Sequence, residues 1–202
     1  MKSVTWGLKR YKMGAVRIEK RLYSYEEYID LLGSSDFKIE YLDGQLRMMS
    51  GGSQAHASIN DLLQGELYFR RGDCKVRGSN VAVYVASSNR YYFPDLTVVC
   101  ANKQQYIDAS IAQLVNPTMI VEVLSKGTEH IDRGEKFHAY FSIPSFMEYI
   151  LVDSRSVRVD AFYREAPDSW SMRSYYRMND EVEFRSMGVK LPISVIYADV
   201  AL

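Results

Sequence analysis

The sequence predicts an α/β domain with a mixed central sheet flanked by helices, an N-terminal hairpin and a C-terminal β-meander. Three observations lead there. Stretches of helical periodicity alternate with short apolar, β-branched runs. Asp43-Gly44 separates two alternating runs, Phe37 to Leu42 and Gln45 to Met49, and Asp-Gly in that setting is a strong hairpin signal. Two of the most apolar runs each carry a carboxylate: Tyr92-Phe93-Pro94-Asp95-Leu96-Thr97-Val98-Val99 and Met119-Ile120-Val121-Glu122-Val123-Leu124-Ser125.

In chain order, residues 1–21 carry little periodicity and read as an N-terminal arm. Ser24-Tyr25-Glu26-Glu27 matches a capping box, opening a helix to about Leu32 with Gly33 just past its end. The hairpin follows. Gly51-Gly52-Ser53 breaks the chain before a helix from about Gln54 to Arg71, with Ile59, Leu62, Leu63 and Leu67 on one face. Strands are expected at Cys74–Arg77 and Val81–Ala86, with a turn at Ser87-Ser88-Asn89 leading to the Asp95 strand. A helix over Gln104–Leu114, the Glu122 strand, a loop at Lys126-Gly127-Thr128 and a helix over Asp132–Phe141, stopping before Pro144, come next. Glu148–Val152, Val157–Tyr163, Trp170–Tyr176 and Glu181–Phe184 read as strands, the last three forming the meander. With no repeat or linker, residues 1–202 are expected to form one domain, with a core over about 37–153 and the meander over about 154–202.

Composition narrows the function. The chain has 202 residues, 47% hydrophobic and 25% charged, as expected of a soluble globular domain. Its formal net charge of zero argues against a general nucleic-acid coat protein but allows a local basic groove. Basic residues cluster over Lys2 to Arg21 and again at Arg70, Arg71, Lys75, Arg77 and Arg90. The two cysteines, Cys74 and Cys100, lack metal-ligand spacing and are expected to be reduced in a cytoplasmic protein. No apolar stretch follows the basic N-terminus as in a signal peptide, and no segment is long enough to span a membrane.

The chemistry concentrates on the two acids. A carboxylate in a buried apolar strand is costly unless compensated, and a divalent cation is one compensation. Lys136, in Asp132-Arg133-Gly134-Glu135-Lys136, follows within reach in sequence. Two acids and a lysine around a metal can hydrolyse a phosphodiester. Each residue also has a structural alternative. Asp95 can cap a turn, Glu122 can face solvent from an edge strand, and Lys136 can pair with Asp132 on a helix surface. Glu40 can sit on the hairpin's polar face, and His56, near a helix N-terminus, can be structural. His130 and His138 make no metal spacing with His56 and read as surface residues.

From about Phe37 to Asp153 the chain resembles the Uma2 family of restriction-endonuclease-like proteins, a branch of the PD-(D/E)XK nuclease superfamily. The matching pieces are Ile39-Glu40-Tyr41-Leu42-Asp43-Gly44, His56 opening the next helix, Pro94-Asp95, Glu122-Val123-Leu124-Ser125, Asp132-Arg133-Gly134-Glu135-Lys136, and Pro144 to Asp153. The resemblance implies a restriction-endonuclease-like fold and Mg²⁺-dependent hydrolysis of DNA, with Mn²⁺ as an alternative ion. It implies Asp95, Glu122 and Lys136 as catalytic residues, Asp95, Glu122 and Glu40 as metal ligands, and His56 in support, carrying protons, binding phosphate or holding Glu40. The lysine usual two residues after the second acid is replaced by Leu124, and Lys136 on the following helix takes its part. Lys126, Arg70 and Arg71 are candidates for contacting DNA.

Two further functions compete. A decayed nuclease fold could bind nucleic acid without cutting it, as the missing lysine at Leu124 and the basic clusters suggest. The tyrosine-rich C-terminal third could instead serve assembly. A homodimer is expected for a single-site enzyme that cuts both strands, with Tyr163, Trp170, Tyr175 and Tyr176 as the interface to look at.

Overall fold

The computed structural model describes residues 20–49, 51–101, 103–107 and 112–201. All of the expected N-terminal arm but its last two residues therefore lies outside the described residues. Helix α1, Tyr25–Ser34, starts where its cap dictates. The Ser24 side chain accepts the Glu27 N–H at 3.3 Å, and the Glu27 carboxylate accepts the Ser24 N–H at 2.8 Å. Strands β1, Ile39–Leu42, and β2, Gln45–Met48, form the hairpin, and Asp43 and Gly44 turn it with φ of 50° and 91°. Positive φ at both turn residues is the requirement that Asp-Gly meets.

Helix α2, Gln54–Phe69, is capped by Ser53 and buries Ile59, Leu63 and Leu67, while Leu62 is only partly covered. Strands β3, Lys75–Gly78, β4, Ala82–Val85, and β5, Arg90–Tyr92, follow, then β6, Leu96–Val99. The run expected as one strand around Asp95 is thus two. Phe93-Pro94-Asp95 carries the chain out of one sheet and into another. Pro94 has no N–H to give to a ladder, which suits it to that break.

Strand β7, Gln113–Leu114, pairs in parallel with β4. Strands β8, Met119–Leu124, and β9, Glu148–Asp153, lie parallel to each other, and β10, Val159–Ala166, and β11, Ser169–Tyr175, extend their sheet antiparallel. The first sheet has the order β2-β1-β5-β4-β7 and the second β11-β10-β9-β8-β6-β3. Strands β12, Glu181–Phe184, and β13, Val189–Pro192, pair with each other, and helix α4 is Ile193–Ile196.

Strand β8 shows how the sheet positions a charge. Met119, Val121 and Val123 face α2 and the core beneath it, while Ile120 and Leu124 belong to the cluster around Tyr140 and Tyr149. Strand side chains alternate, so Glu122 shares the Ile120 and Leu124 face. On that face the chain winds as a π-turn over Ile131–Lys136 before helix α3, Phe137–Phe141.

Several expectations are corrected. The helix expected over Gln104–Leu114 is not formed at its described positions: Tyr106 makes a β-bridge to Leu114, and β7 occupies the end of the segment. Cys74 and Cys100 are joined in a disulfide. They adjoin the Lys75–Val99 pair of β3 and β6, a cross-strand neighbourhood that their 26-residue separation conceals. The meander ends at β11, because β12 pairs with β13. Tyr163 and Tyr175 are buried in the chain's own core, which leaves Tyr176 as the exposed one of the three tyrosines expected at an interface. No helix among the described residues is long and apolar enough to cross a membrane.

Candidate active site

The pairing of β6 with β8 places Leu96 opposite Val121, so Asp95, just before β6, comes opposite Glu122. The Asp95 Oδ2 accepts the Val123 N–H at 2.7 Å, and the Glu122 Oε2 is 3.4 Å from the Asp95 N–H. Two carboxylates are thereby locked side by side across one strand pair. Both have capacity left, since a carboxylate offers about four acceptor positions.

Lys136 reaches this pair from the π-turn. Its Nζ donates to Glu122 Oε1 at 2.9 Å and lies 3.0 Å from Asp132 Oδ1 and 3.8 Å from Glu40 Oε1. The Tyr140 hydroxyl adds a bond to Glu122 Oε1 at 3.3 Å. Glu122, Asp132, Lys136 and Glu40 are all buried. Burial pushes the Glu122 carboxyl well above the usual range; Lys136 pulls it down, and Asp132 and Asp95 push it further up. Burial alone would lower the Lys136 ammonium, but Glu122, Glu40 and Asp132 outweigh it and hold it well above its ordinary value. Burial leads the first shift and the surrounding carboxylates the second, and together they make the cluster hold its protons tightly.

His56 enters from the third residue of α2, where its N–H completes the Ser53 cap at 3.2 Å. Its Nε2 lies 3.0 Å from Asp95 Oδ1, and that bond raises the imidazole pKa against the opposing effect of burial. A Cβ on Gly52 would stand 2.8 Å from the His56 ring. Glycine there lets the ring settle against the backbone. Glu40 is held by Arg47, whose Nε and Nη2 lie 2.8 and 2.7 Å from Oε2, with the Phe93 N–H at 3.4 Å from Oε1. Arg47, not His56, is therefore the partner of Glu40.

The cluster opens on a cavity of about 460 Å³ lined by His56, Asp95, Glu122, Asp132 and Lys136. Glu40 and Arg47 line a neighbouring one of about 250 Å³ that shares Asp132 and Lys136. Asp95, Glu122, Lys136, Glu40 and His56 are thus brought together. The other candidates are not. Lys126 is exposed in the turn after β8. Arg70 and Arg71 lie at the far end of α2, about 20 Å along the helix from His56. There Arg70 pairs with Glu66, and Arg71 lies over the Tyr68 ring. The sequence presents Asp132 as a surface partner of Lys136 and gives no separate signal for Tyr140. Their spacing carries the missing signal: residues 132, 136 and 140 stand four apart, on one helical face.

A family model described as "Putative restriction endonuclease", Uma2, matches residues 25–194. The uncharacterized protein slr1290 of Synechocystis sp. is 33% identical over 180 residues, covering 88% of this chain and 93% of its own. A second Synechocystis protein, the uncharacterized sll1609, is 28% identical over 171 residues, covering 84% and 96%. The crystal structure of a putative nuclease belonging to DUF820 from Anabaena variabilis superposes with a TM-score of 0.65 at 14% identity, over 86% of this chain and 96% of that one. At that identity the likeness speaks for the fold.

Proposed function

This chain belongs to the Uma2 family, described as "Putative restriction endonuclease", and from that premise we propose that it is a Mg²⁺-dependent DNA endonuclease. The observation that carries the reading is the meeting of Glu122, Asp95 and Lys136 at one cavity. Lys136 Nζ stands 2.9 Å from Glu122, and Asp95 lies directly across the strand pair.

The donor set suits a hard cation. Among the described residues no group of three or more His, Cys, Asp or Glu side chains is arranged as a ready metal cage. Mg²⁺ does not need one, because it commonly takes one or two carboxylates and fills its remaining positions with water and phosphate oxygens. Asp95 and Glu122 would hold it, with Glu40 as the more distant third acid. Bound there, the ion would supply Lewis acidity, polarising a phosphoryl oxygen and making water a stronger acid; Mn²⁺ could substitute.

The chain's own groups do the rest. Lys136 offsets the negative charge that builds on phosphate as the bond order changes, from an ammonium fixed by Glu122, Asp132 and Glu40. His56 orients Asp95 and leaves the acid's second oxygen to the Val123 N–H. Arg47 keeps Glu40 from turning away. Leu124, at the position where a lysine is usual, is fully buried in the core, so Lys136 is the group that fills the part. A homodimer would present two such sites to the two strands of a duplex.

The test is cleavage of supercoiled DNA with and without Mg²⁺. Nicking or linearisation that needs the ion and disappears in Asp95→Ala and Glu122→Ala is expected. Cleavage unchanged in both variants would overturn the proposal.

A further inference from the structure

The larger cavity is also lined by Phe37, Lys38, Asn60 and Ser79, which the hydrolytic cluster does not use. Lys38 is half-buried, and its ammonium donates to the Ser79 hydroxyl at 2.6 Å. Among the described residues no carboxylate lies within ion-pair distance of it, whereas Lys136 has three. Asp36 and Asp61 line the same cavity but do not pair with Lys38. Burial lowers the Lys38 pKa, and Asp95 is close enough for its charge to oppose that shift in part, so this cation stands near the cluster without being paired to it. One turn along α2 from His56, the Asn60 Oδ1 is buried with no hydrogen-bond partner in the protein. A buried acceptor left unpaired is costly. Phe37, which lines the same cavity, leaves 55% of its surface exposed.

A free cation, an unpaired acceptor and an open aromatic ring beside a candidate phosphodiester-cleaving cluster suit one class of ligand. We propose that Phe37, Lys38, Asn60 and Ser79 form a subsite for the nucleotide that flanks the cleaved bond. Lys38, steadied by Ser79, takes the flanking phosphate. Phe37 stacks on the base, and Asn60 accepts a hydrogen bond from a donor on the nucleotide. The subsite contributes one phosphate contact. This inference rests on the nuclease reading of Asp95 and Glu122.

The experiment measures binding of a DNA duplex with a single-stranded overhang, whose unpaired bases are free to stack, over a salt series, in buffer free of divalent cations so that no strand is cut. Lys38→Gln should weaken binding about 5- to 10-fold and reduce the slope of log K against log salt by about one. Lys38→Arg, which keeps the charge, should bind as the parent does. Phe37→Ala should weaken binding about 10-fold and leave the slope unchanged. Thermal unfolding checks that each variant is folded. If Lys38→Gln does not fold, Ser79→Ala removes only a hydroxyl and should weaken binding about 3-fold. Parental affinity and slope in the Lys38 variant, or in Ser79→Ala where that variant stands in for it, would overturn the subsite and leave the hydrolytic cluster untouched. Metal-dependent cleavage lost in Glu122→Ala, measured in parallel, reports on the cluster alone. Absence of binding by the parent would overturn the subsite whatever that assay shows.

Discussion

Two buried carboxylates sit in the same six-stranded sheet, on strands separated only by β9, and they behave oppositely. Glu122 on β8 is 3% exposed and Asp160 on β10 is fully buried. Asp160 is over-supplied with partners. Arg133 Nη2 and Arg158 Nη2 lie 2.8 and 2.9 Å from its Oδ2, and the Ser174 hydroxyl donates at 2.6 Å to Oδ1. Burial would raise its pKa, but Ser174, Arg133 and Arg158 outweigh burial and hold it below the usual value. Glu122 shares one lysine with two other acids and stands beside a fourth; burial pushes its pKa up, Lys136 does not outweigh it, and Asp132 and Asp95 add to the rise. The π-turn divides its residues between the two: Asp132 and Lys136 face Glu122, and Arg133 faces Asp160. Burying a charge therefore does not identify a site. What distinguishes the Glu122 region is an excess of acid over base at the wall of a cavity.

The sharpest way to break this contrast is to neutralise each acid in turn. Glu122→Gln should reduce cleavage by at least about 10²-fold, the scale on which removing a positioned electrostatic group slows a reaction. It should change stability little, since Lys136 keeps Asp132 and Glu40. Asp160→Asn should leave the rate per folded molecule near the parent's and cost about 1.5 kcal/mol of stability, because two partly exposed arginines lose a charged partner. Initial rates and urea unfolding of both variants check the pair. Equal stability losses would erase the distinction.

The next effect is on acid unfolding. The folded pKa values of Asp160 and Asp153 are both depressed, in Asp153 by Arg155 overcoming burial. Their contribution is present above the unfolded value, about 3.9, and is lost as pH falls through the lower folded values. The parent should thus hold its stability down to about pH 4 and lose it below, and Asp160→Asn should flatten that limb. His56 works in the other direction. Its folded pKa is raised above 6.5, so its contribution is complete below that value and fades as pH rises through the folded one. Urea unfolding across pH, with His56→Asn as control, measures both limbs.

The smallest effect concerns one methyl group. Gly52→Ala places a Cβ where the His56 ring lies. The ring should shift, loosen its bond to Asp95 and bring its pKa back toward 6.5, at a cost of about 1 kcal/mol. An NMR titration of the imidazole reads this directly. An unmoved pKa would mean that the ring does not depend on Gly52.

Local rules made much of this legible in the sequence. The capping box, the Asp-Gly turn and the α2 face each depend on a few adjacent residues, and each is where its spacing placed it. Glu122 was legible because an acid interrupts an apolar run. The same signal occurs at Asp160, between Val159 and Ala161, and at Glu148, whose carboxylate accepts the Arg185 and Ser186 N–H groups at 3.0 and 2.8 Å. Only their distant partners separate these two acids from Glu122. The segment ending at Leu114 shows the limit from the other side. Ile107, Ile111 and Leu114 have helical spacing, yet Gln113 and Leu114 pair with Ala82 and Val83, 31 residues earlier. The disulfide and the Asp95–Glu122 meeting are likewise matters of strand register, which no local spacing reveals.

The most direct test of the central claim sets Glu122→Gln beside Asp160→Asn in one assay of Mg²⁺-dependent cleavage of supercoiled DNA. Cleavage abolished in the first and retained by folded molecules of the second is the expected result. Cleavage retained by Glu122→Gln would contradict the account.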